Sequence, residues 1–400
     1  MCGLKAVIKN GKRLKGSVQA PPSKSEAIRA ALLLALSGHD PNEALSGYEE
    51  MPVCDDVSAA VAACGALTQG PEALNVGGSA ALLRMLLPVS LALYGRADII
   101  MEERLAKRGL GEFEQIFGIE LAPKDGVLHA EKTLLPGSYK VDCRRSSQFL
   151  SGLLLALPLL KGDSEIEIIG KPVSKSYADM TISYASLFGA RIGAGYVESG
   201  KSIAVCASRY SAPKLPPYVL ESGARAYASG DCSYAAMLQI ANFMGGRVDV
   251  RGIIGRTLQP DIVFPAVVGF GIIDISDMPD LLPPLAAAAC HLKRDTVLRG
   301  TGRLAHKESS RVYAMAGLIR ALGGSADADG DELVIHGSGG LAGGYCDASG
   351  DHRLAMAAAM LAGVCKAPMV LNGAESVKKS APGFWDDYKK LGGEYEFVWE

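Results

Sequence analysis

Residues Asp351–Val364 read DHRLAMAAAMLAGV. After the opening Asp-His-Arg every position except Gly363 is Ala, Leu, Met or Val, so the run has no polar face. A helix apolar on all sides is expected to be buried. Asp351 suits its first position, because a side-chain carboxylate accepts the unbonded N–H groups of a first turn. Five other stretches share this form: Ser23–Ser37, Ser79–Leu93, Ser146–Leu160, Cys232–Met244 and Asp280–Leu292. Matched in order across the two halves of the chain, their starts stand about 205 residues apart.

A second series follows the same spacing. Helix-like runs closing on Gly, each followed by an alternating segment, end at Gly65, Gly118, Gly189, Gly271, Gly323 and Gly392. Glycine is favoured just past a helix, where the left-handed backbone conformation is common. The expected fold is therefore a duplicated α/β protein. Each half is a domain of three βαβαββ-like units, with the apolar helices inside and the sheets outside. The halves meet near Ser229-Gly230, after the proline-rich segment Pro213–Pro217.

Composition narrows the function. Forty-one Lys and Arg against 43 Asp and Glu leave a formal net charge of -2, so no basic field advertises nucleic-acid binding. Nine cysteines without a C-x-x-C pair argue for reduced thiols and against a zinc ribbon or a disulfide framework. The histidines (39, 129, 291, 306, 336 and 352) are too scattered for a local metal motif. No apolar run follows the basic N-terminus, and none reaches membrane-spanning length, so neither a signal peptide nor a membrane span is expected.

Helix N-termini carry free N–H groups and partial positive charge, which attract anions. Six such ends converging on one cleft, with Lys24, Arg29, Arg84, Arg108, Lys307, Arg311, Arg353 and Lys379 added, would suit a small, multiply anionic substrate. Ser and Asp at helix starts are also ordinary caps. A cation at a helix start, by contrast, opposes the dipole unless an anion compensates it, which singles out Lys24, Arg353 and the Lys307/Arg311 pair.

Eight stretches in order complete the pattern. They are Pro21-Pro22-Ser23-Lys24-Ser25 with Arg29, Ser146-Ser147-Gln148-Phe149, Ser174-Lys175-Ser176-Tyr177, Gly230-Asp231-Cys232-Ser233, Pro279-Asp280, Lys307-Glu308-Ser309-Ser310-Arg311, Asp351-His352-Arg353 and Lys379-Ser380. Together they resemble the signatures of the 5-enolpyruvylshikimate-3-phosphate synthase (3-phosphoshikimate 1-carboxyvinyltransferase) family over about residues 5 to 395. The resemblance implies a two-domain inside-out α/β barrel with domains 21–229 and 1–20 plus 230–400. It also implies transfer of the enolpyruvyl group of phosphoenolpyruvate to the 5-hydroxyl of shikimate 3-phosphate, without metal or organic cofactor. The family's setting implies a cytoplasmic enzyme, expected as a monomer with no nucleic-acid or membrane partner.

The resemblance further implies site residues. Shikimate 3-phosphate would meet Lys24, Ser25, Arg29, Ser146, Ser147, Gln148, Ser174, Tyr177, Asp280 and Lys307. Phosphoenolpyruvate would meet Lys24, Ala80, Arg108, Gln148, Arg311, Arg353 and Lys379. Asp280 is expected as the base that takes the hydroxyl proton, and Glu308 as a proton-transfer partner shared with Lys24. Three positions depart from the family pattern: Gly78 for Asn or Glu, Ala80 for Gly, and Gly109 for Pro. Ala381 also replaces an aromatic residue. An added methyl at Ala80 would crowd the phosphoenolpyruvate pocket and weaken inhibition by glyphosate. Three alternatives stay open: the sister transferase acting on UDP-N-acetylglucosamine, for which Cys143 among cations is the candidate reactive thiol; an RNA-end-processing enzyme on a related repeat fold; and a non-catalytic, ligand-binding paralogue.

Overall fold

The computed structural model describes residues 3–70, 72–107, 110–193, 202–206, 226–255, 257–306 and 309–399. The chain divides into two compact units. One comprises Met1–Pro21, Glu50–Cys54 and Ser229–Glu400, and the other Pro22–Glu49 and Asp55–Ala228. They are called here the C-terminal and N-terminal units. Glu50–Cys54, which a continuous 21–229 domain would assign to the N-terminal unit, belongs with the C-terminal one.

In the C-terminal unit the apolar run from Asp351 forms the helix His352–Leu361, every residue of it buried, and ends in a 3-10 turn over Ala362–Val364. It crosses over between two parallel strands, Gly344–Asp347 and Met369–Asn372. The helix Phe384–Lys390 then leads to Tyr395–Trp399, and Leu4–Ile8 lies between these last two strands, antiparallel to both. A second sheet has the same order: Ile272–Asp274, Asp295–Arg299, Glu332–His336, Ser325–Asp329. Its crossover is the apolar helix Leu282–His291, followed by Arg311–Ala321. Leu4–Ile8 therefore fills the place in the last repeat that Glu332–His336 fills in its neighbour. The third sheet pairs Lys15–Gln19 in parallel with Arg247–Arg251, and in sequence the residues of the N-terminal unit come between Lys15–Gln19 and the crossover helix Cys232–Phe243. Helices Cys232–Phe243, Leu282–His291 and His352–Leu361 touch one another at the centre of this unit's core.

The N-terminal unit repeats the pattern with strands Ser138–Asp142, Ser164–Ile169, Ser202–Val205 and Ile192–Gly193 in that spatial order, and helices Gln148–Ala156 and Lys175–Leu187 between them. A three-stranded sheet, Leu74–Gly77, Arg96–Met101 and Val127–Glu131, carries the apolar helix Ala80–Tyr94. The first segment supplies the helices Lys24–Leu36 and Asp55–Leu67, with no strand among its described residues. A two-domain α/β fold with buried apolar helices is thus present as expected. Among the described helices none is long and apolar enough to cross a membrane.

Four of the six closing glycines do what the sequence implies: Gly118, Gly189, Gly323 and Gly392 have positive φ just past a helix. The other two do not. Gly65 lies inside the helix Asp55–Leu67, which runs two residues further because Leu67 is buried in the core and anchors its end. Gly271 leads into a strand; the short helix Phe264–Val267 is closed by Gly269, at φ 91°.

Candidate active site

Four charged residues of the C-terminal unit form one hydrogen-bonded cluster. Asp351 caps the helix His352–Leu361 by accepting the Arg353 N–H at 2.9 Å, and its side chain is fully buried. The Arg311 guanidinium, 1% exposed at the start of Arg311–Ala321, donates through Nε to Asp351 Oδ2 and through Nη1 to Asp280 Oδ1, both at 2.9 Å. Arg353 donates through Nη2 to the other oxygen, Asp280 Oδ2, at 2.8 Å. Asp280 sits in a 3-10 turn, Pro279–Leu281, whose two-proline continuation into Leu282–His291 sets where that helix begins. Ser309 Oγ also donates to Asp351 Oδ2, at 3.1 Å. Burial works against the Arg353 charge, but Asp280 and its neighbours more than offset this and hold its pKa above the ordinary value. Three expected site residues, Asp280, Arg311 and Arg353, are therefore in direct contact. Asp351 was legible as a cap, not as the carboxylate that locks both arginines.

Lys379 is half-buried at the end of the 3-10 turn Ala374–Lys379. Arg108, Lys307 and Glu308 lie outside the described residues.

The N-terminal unit assembles a second group around Arg29. Its guanidinium is buried in the helix Lys24–Leu36 and donates to Thr181 Oγ1 (2.8 Å), the Ser25 carbonyl (2.6 Å), the Tyr177 carbonyl (2.9 Å) and Ser151 Oγ (3.3 Å). Burial lowers its pKa to about 10, so it remains a cation at neutral pH. These bonds tie Ser25 to Tyr177, two expected substrate contacts. Ser174 stands at φ 53° and ψ 41°, a left-handed conformation unusual for a residue with a side chain and typical of strained functional positions. Its carbonyl accepts the Tyr177 N–H.

Ser146, Ser147 and Gln148 lead into the helix Gln148–Ala156, where Ser146 Oγ accepts the Gln148 N–H at 3.2 Å. Gln148 Oε1 accepts a 2.6 Å hydrogen bond from Arg84 Nη1, and the Arg84 guanidinium lies 4.7 Å from the centre of the Phe149 ring. Ala80 is the first residue of the helix Ala80–Tyr94, capped by Ser79, and is half-buried. The Gly78 that departs from the family pattern leaves room for the Glu102 carboxylate, which a Cβ at 78 would meet at 2.8 Å.

Lys24, Arg311 and Arg353 near helix starts do not by themselves demand an external anion. Lys24 Nζ lies 3.0 Å from Asp56 Oδ2, and the two arginines have Asp280 and Asp351. These partners are 31 to 73 residues away in sequence, too far for local patterning to reveal.

Cys143 is buried, and burial, then Glu112 and Asp142, push its thiol up to about 12. Such a thiol is inert. Native protein at pH 8 is expected to leave Cys143 unmodified by iodoacetamide in peptide mass spectrometry; alkylation there without unfolding contradicts its burial. Among the described residues, the eight cysteines form no disulfide.

Comparison with known proteins places the chain among its relatives. A family profile for EPSP synthase (3-phosphoshikimate 1-carboxyvinyltransferase) matches residues 234–388. A 3-phosphoshikimate 1-carboxyvinyltransferase from Clostridium kluyveri is 31% identical over 445 residues, covering 98% of this chain and 99% of its own. One from Clostridium botulinum is 31% identical over 435 residues, covering 96% of each. Among solved structures, EPSP synthase from Acinetobacter baumannii superposes with a TM-score of 0.73 at 19% identity, over 99% of this chain and 100% of that one. The enolpyruvyl transferase NikO from Streptomyces tendae gives 0.67 at 16% identity over the whole of both chains. The solved structures establish the fold; the full-length identity to the clostridial proteins goes further, and on it the chain belongs to the EPSP synthase (3-phosphoshikimate 1-carboxyvinyltransferase) family.

Proposed function

We infer that this chain transfers the enolpyruvyl group of phosphoenolpyruvate to the 5-hydroxyl of shikimate 3-phosphate and releases phosphate. The family carries the reaction, and the cluster of Arg311 and Arg353 on Asp280 supports it chemically. The new C–O bond joins the 5-oxygen to the enol carbon, and the C–O bond to phosphate breaks. The hydroxyl must lose its proton, and the methylene carbon must gain one and give one back. Two anionic reactants also need fixed cations to offset their repulsion.

In this reading Arg311 and Arg353 bind phosphoenolpyruvate, with Lys24, Lys379 and Arg108. Their guanidinium forks suit a carboxylate or phosphate. In the structure described, they are bonded to Asp280 instead. An arriving carboxylate competes for those N–H groups, and a carboxylate released from two cationic donors gains proton affinity. Asp280 thereby becomes a stronger base once the donor is bound. Ser25, Arg29, Ser146, Ser147, Ser174, Tyr177 and Lys307 are assigned to shikimate 3-phosphate, with Gln148 shared. Arg29 acts largely by holding the Ser25 and Tyr177 backbones. Glu308 and Lys24 are assigned to proton transfer. The enzyme is proposed to work as a cytoplasmic monomer.

Acceptor choice tests the assignment. Turnover with shikimate 3-phosphate and none with UDP-N-acetylglucosamine is expected; the reverse moves the chain to the sister activity. Ala80 adds a second expectation. Its methyl stands where the family usually has none, so glyphosate should compete with phosphoenolpyruvate only weakly. Sub-millimolar competitive inhibition in a steady-state assay contradicts a crowded pocket.

A further inference from the structure

Asp261 is buried beside the arginine cluster and has no part in the binding and proton-transfer roles assigned to the other residues. It lies in the 3-10 turn Pro260–Val263, 2% exposed. Ser233 Oγ, from the first turn of Cys232–Phe243, donates to Asp261 Oδ2, while Oδ1 has no hydrogen-bond partner among the described residues. The charged groups acting on it are Asp280, Arg353 and Asp231; Asp231 caps Cys232–Phe243 by accepting the Tyr234 N–H at 2.8 Å.

The charges explain why this matters. Arg311 and Arg353 are already matched by Asp280 and Asp351. An ionised Asp261, 2% exposed, adds a further carboxylate to Asp280, Asp351 and Asp231 around two cations, which is strongly unfavourable. A bound anionic substrate on the same arginines makes the excess larger. Some carboxylate must then hold a proton. Asp280 carries two guanidinium bonds that favour its charge, whereas Asp261 has a single hydroxyl. Asp261 is also the more deeply buried, 2% exposed against 21% for the Asp280 side chain, so the first proton goes to Asp261 even when a donor anion draws the guanidinium bonds away, and Asp280 stays ionised.

We propose that Asp261 is a positioning residue that must be protonated for an anion to occupy the Arg311–Arg353 pair, so that Asp280 stays ionised as the base. The proposal rests on the assignment of that pair to phosphoenolpyruvate. The direction of its titration agrees: burial first, then the Asp280 charge, push the Asp261 carboxyl up to about 7, against the pull of Arg353 and the Ser233 hydroxyl.

The sign of the pH effect comes from the protonated form being the competent one. For the wild-type enzyme, kcat/KM for phosphoenolpyruvate, with shikimate 3-phosphate saturating, should fall by up to about tenfold per pH unit above pH ~7. Asp261→Asn, neutral at every pH, should lose that break; comparing the two cancels the titration of the substrate itself. Ser233→Ala removes the bond to the ionised carboxylate and should move the break to higher pH. It supplies an answer if Asp261→Asn does not fold, as judged by circular dichroism. A break that persists in Asp261→Asn, or stays in place in Ser233→Ala, overturns the proposal while the transferase activity stands. Absence of turnover in the wild-type enzyme would instead overturn the functional assignment, and this inference with it.

Discussion

Replacing Arg311 by alanine is expected to lower kcat/KM for phosphoenolpyruvate by about two to four orders of magnitude and to destabilise the C-terminal unit. Arg311 is the central member of its cluster, bonded to Asp351 and Asp280 and almost fully buried. Removing one partner of a buried ion pair costs about 3–5 kcal/mol, because the other charge is left without compensation. At about 1.4 kcal/mol per tenfold, the same magnitude lost from binding gives the predicted fall in rate. Arg311→Lys separates the two effects. Lysine keeps the charge but cannot reach two carboxylates and an anion with a planar fork. Its stability, read by thermal denaturation, should recover partly while KM for phosphoenolpyruvate stays raised. A lysine variant with an unchanged KM contradicts a role in holding the donor.

Gly152→Ala is also expected to be damaging, although glycine-to-alanine inside a helix ordinarily stabilises. Gly152 packs against the helix Ala80–Tyr94 so closely that a Cβ would overlap the Arg84 carbonyl oxygen and come within 2.9 Å of the Pro88 ring. That carbonyl is the one Pro88, four residues on, cannot bond, since proline has no N–H. The obstacle is backbone, so no rotamer change relieves it. Moving the turn at Arg84 pulls its guanidinium from Gln148 and from the Phe149 ring. Overpacking of this kind costs about 1–3 kcal/mol, and the loss of Gln148 placement should raise KM for both substrates. Alanine at 152 with wild-type melting temperature and KM values would show that the close approach is not needed.

The run Asp351–Val364 made one buried helix legible because its residues allow no exposed face, and its five counterparts were legible by the same physics. The glycines were less reliable. Gly65 and Gly118 stand after similar local sequence, Ala-Cys and Ile-Phe, yet only Gly118 closes its helix, because the buried Leu67 lies beyond Gly65. Whether a helix continues past such a glycine is decided by packing, which spacing does not encode. At the candidate site the ordered motifs named Asp280, Arg311 and Arg353 before any contact was visible. They did not reveal that Asp351 joins the arginines, that Asp56 answers Lys24, or that Arg29 spends most of its donors on its own backbone and hydroxyls. Apart from Ser25, one turn before Arg29 on the same helix, those partners are distant in sequence. Asp261 left no trace in the sequence at all: Gln259-Pro260-Asp261 looks like any turn, and its interest lies in burial.

The most direct test of the carboxyvinyl transfer is to mix the purified chain with phosphoenolpyruvate and shikimate 3-phosphate and follow both products by phosphorus NMR. Inorganic phosphate and an enol ether at the 5-oxygen should appear in equal amounts, and neither when one substrate is withheld. Phosphate released without the enol ether, or no change in either signal, contradicts it.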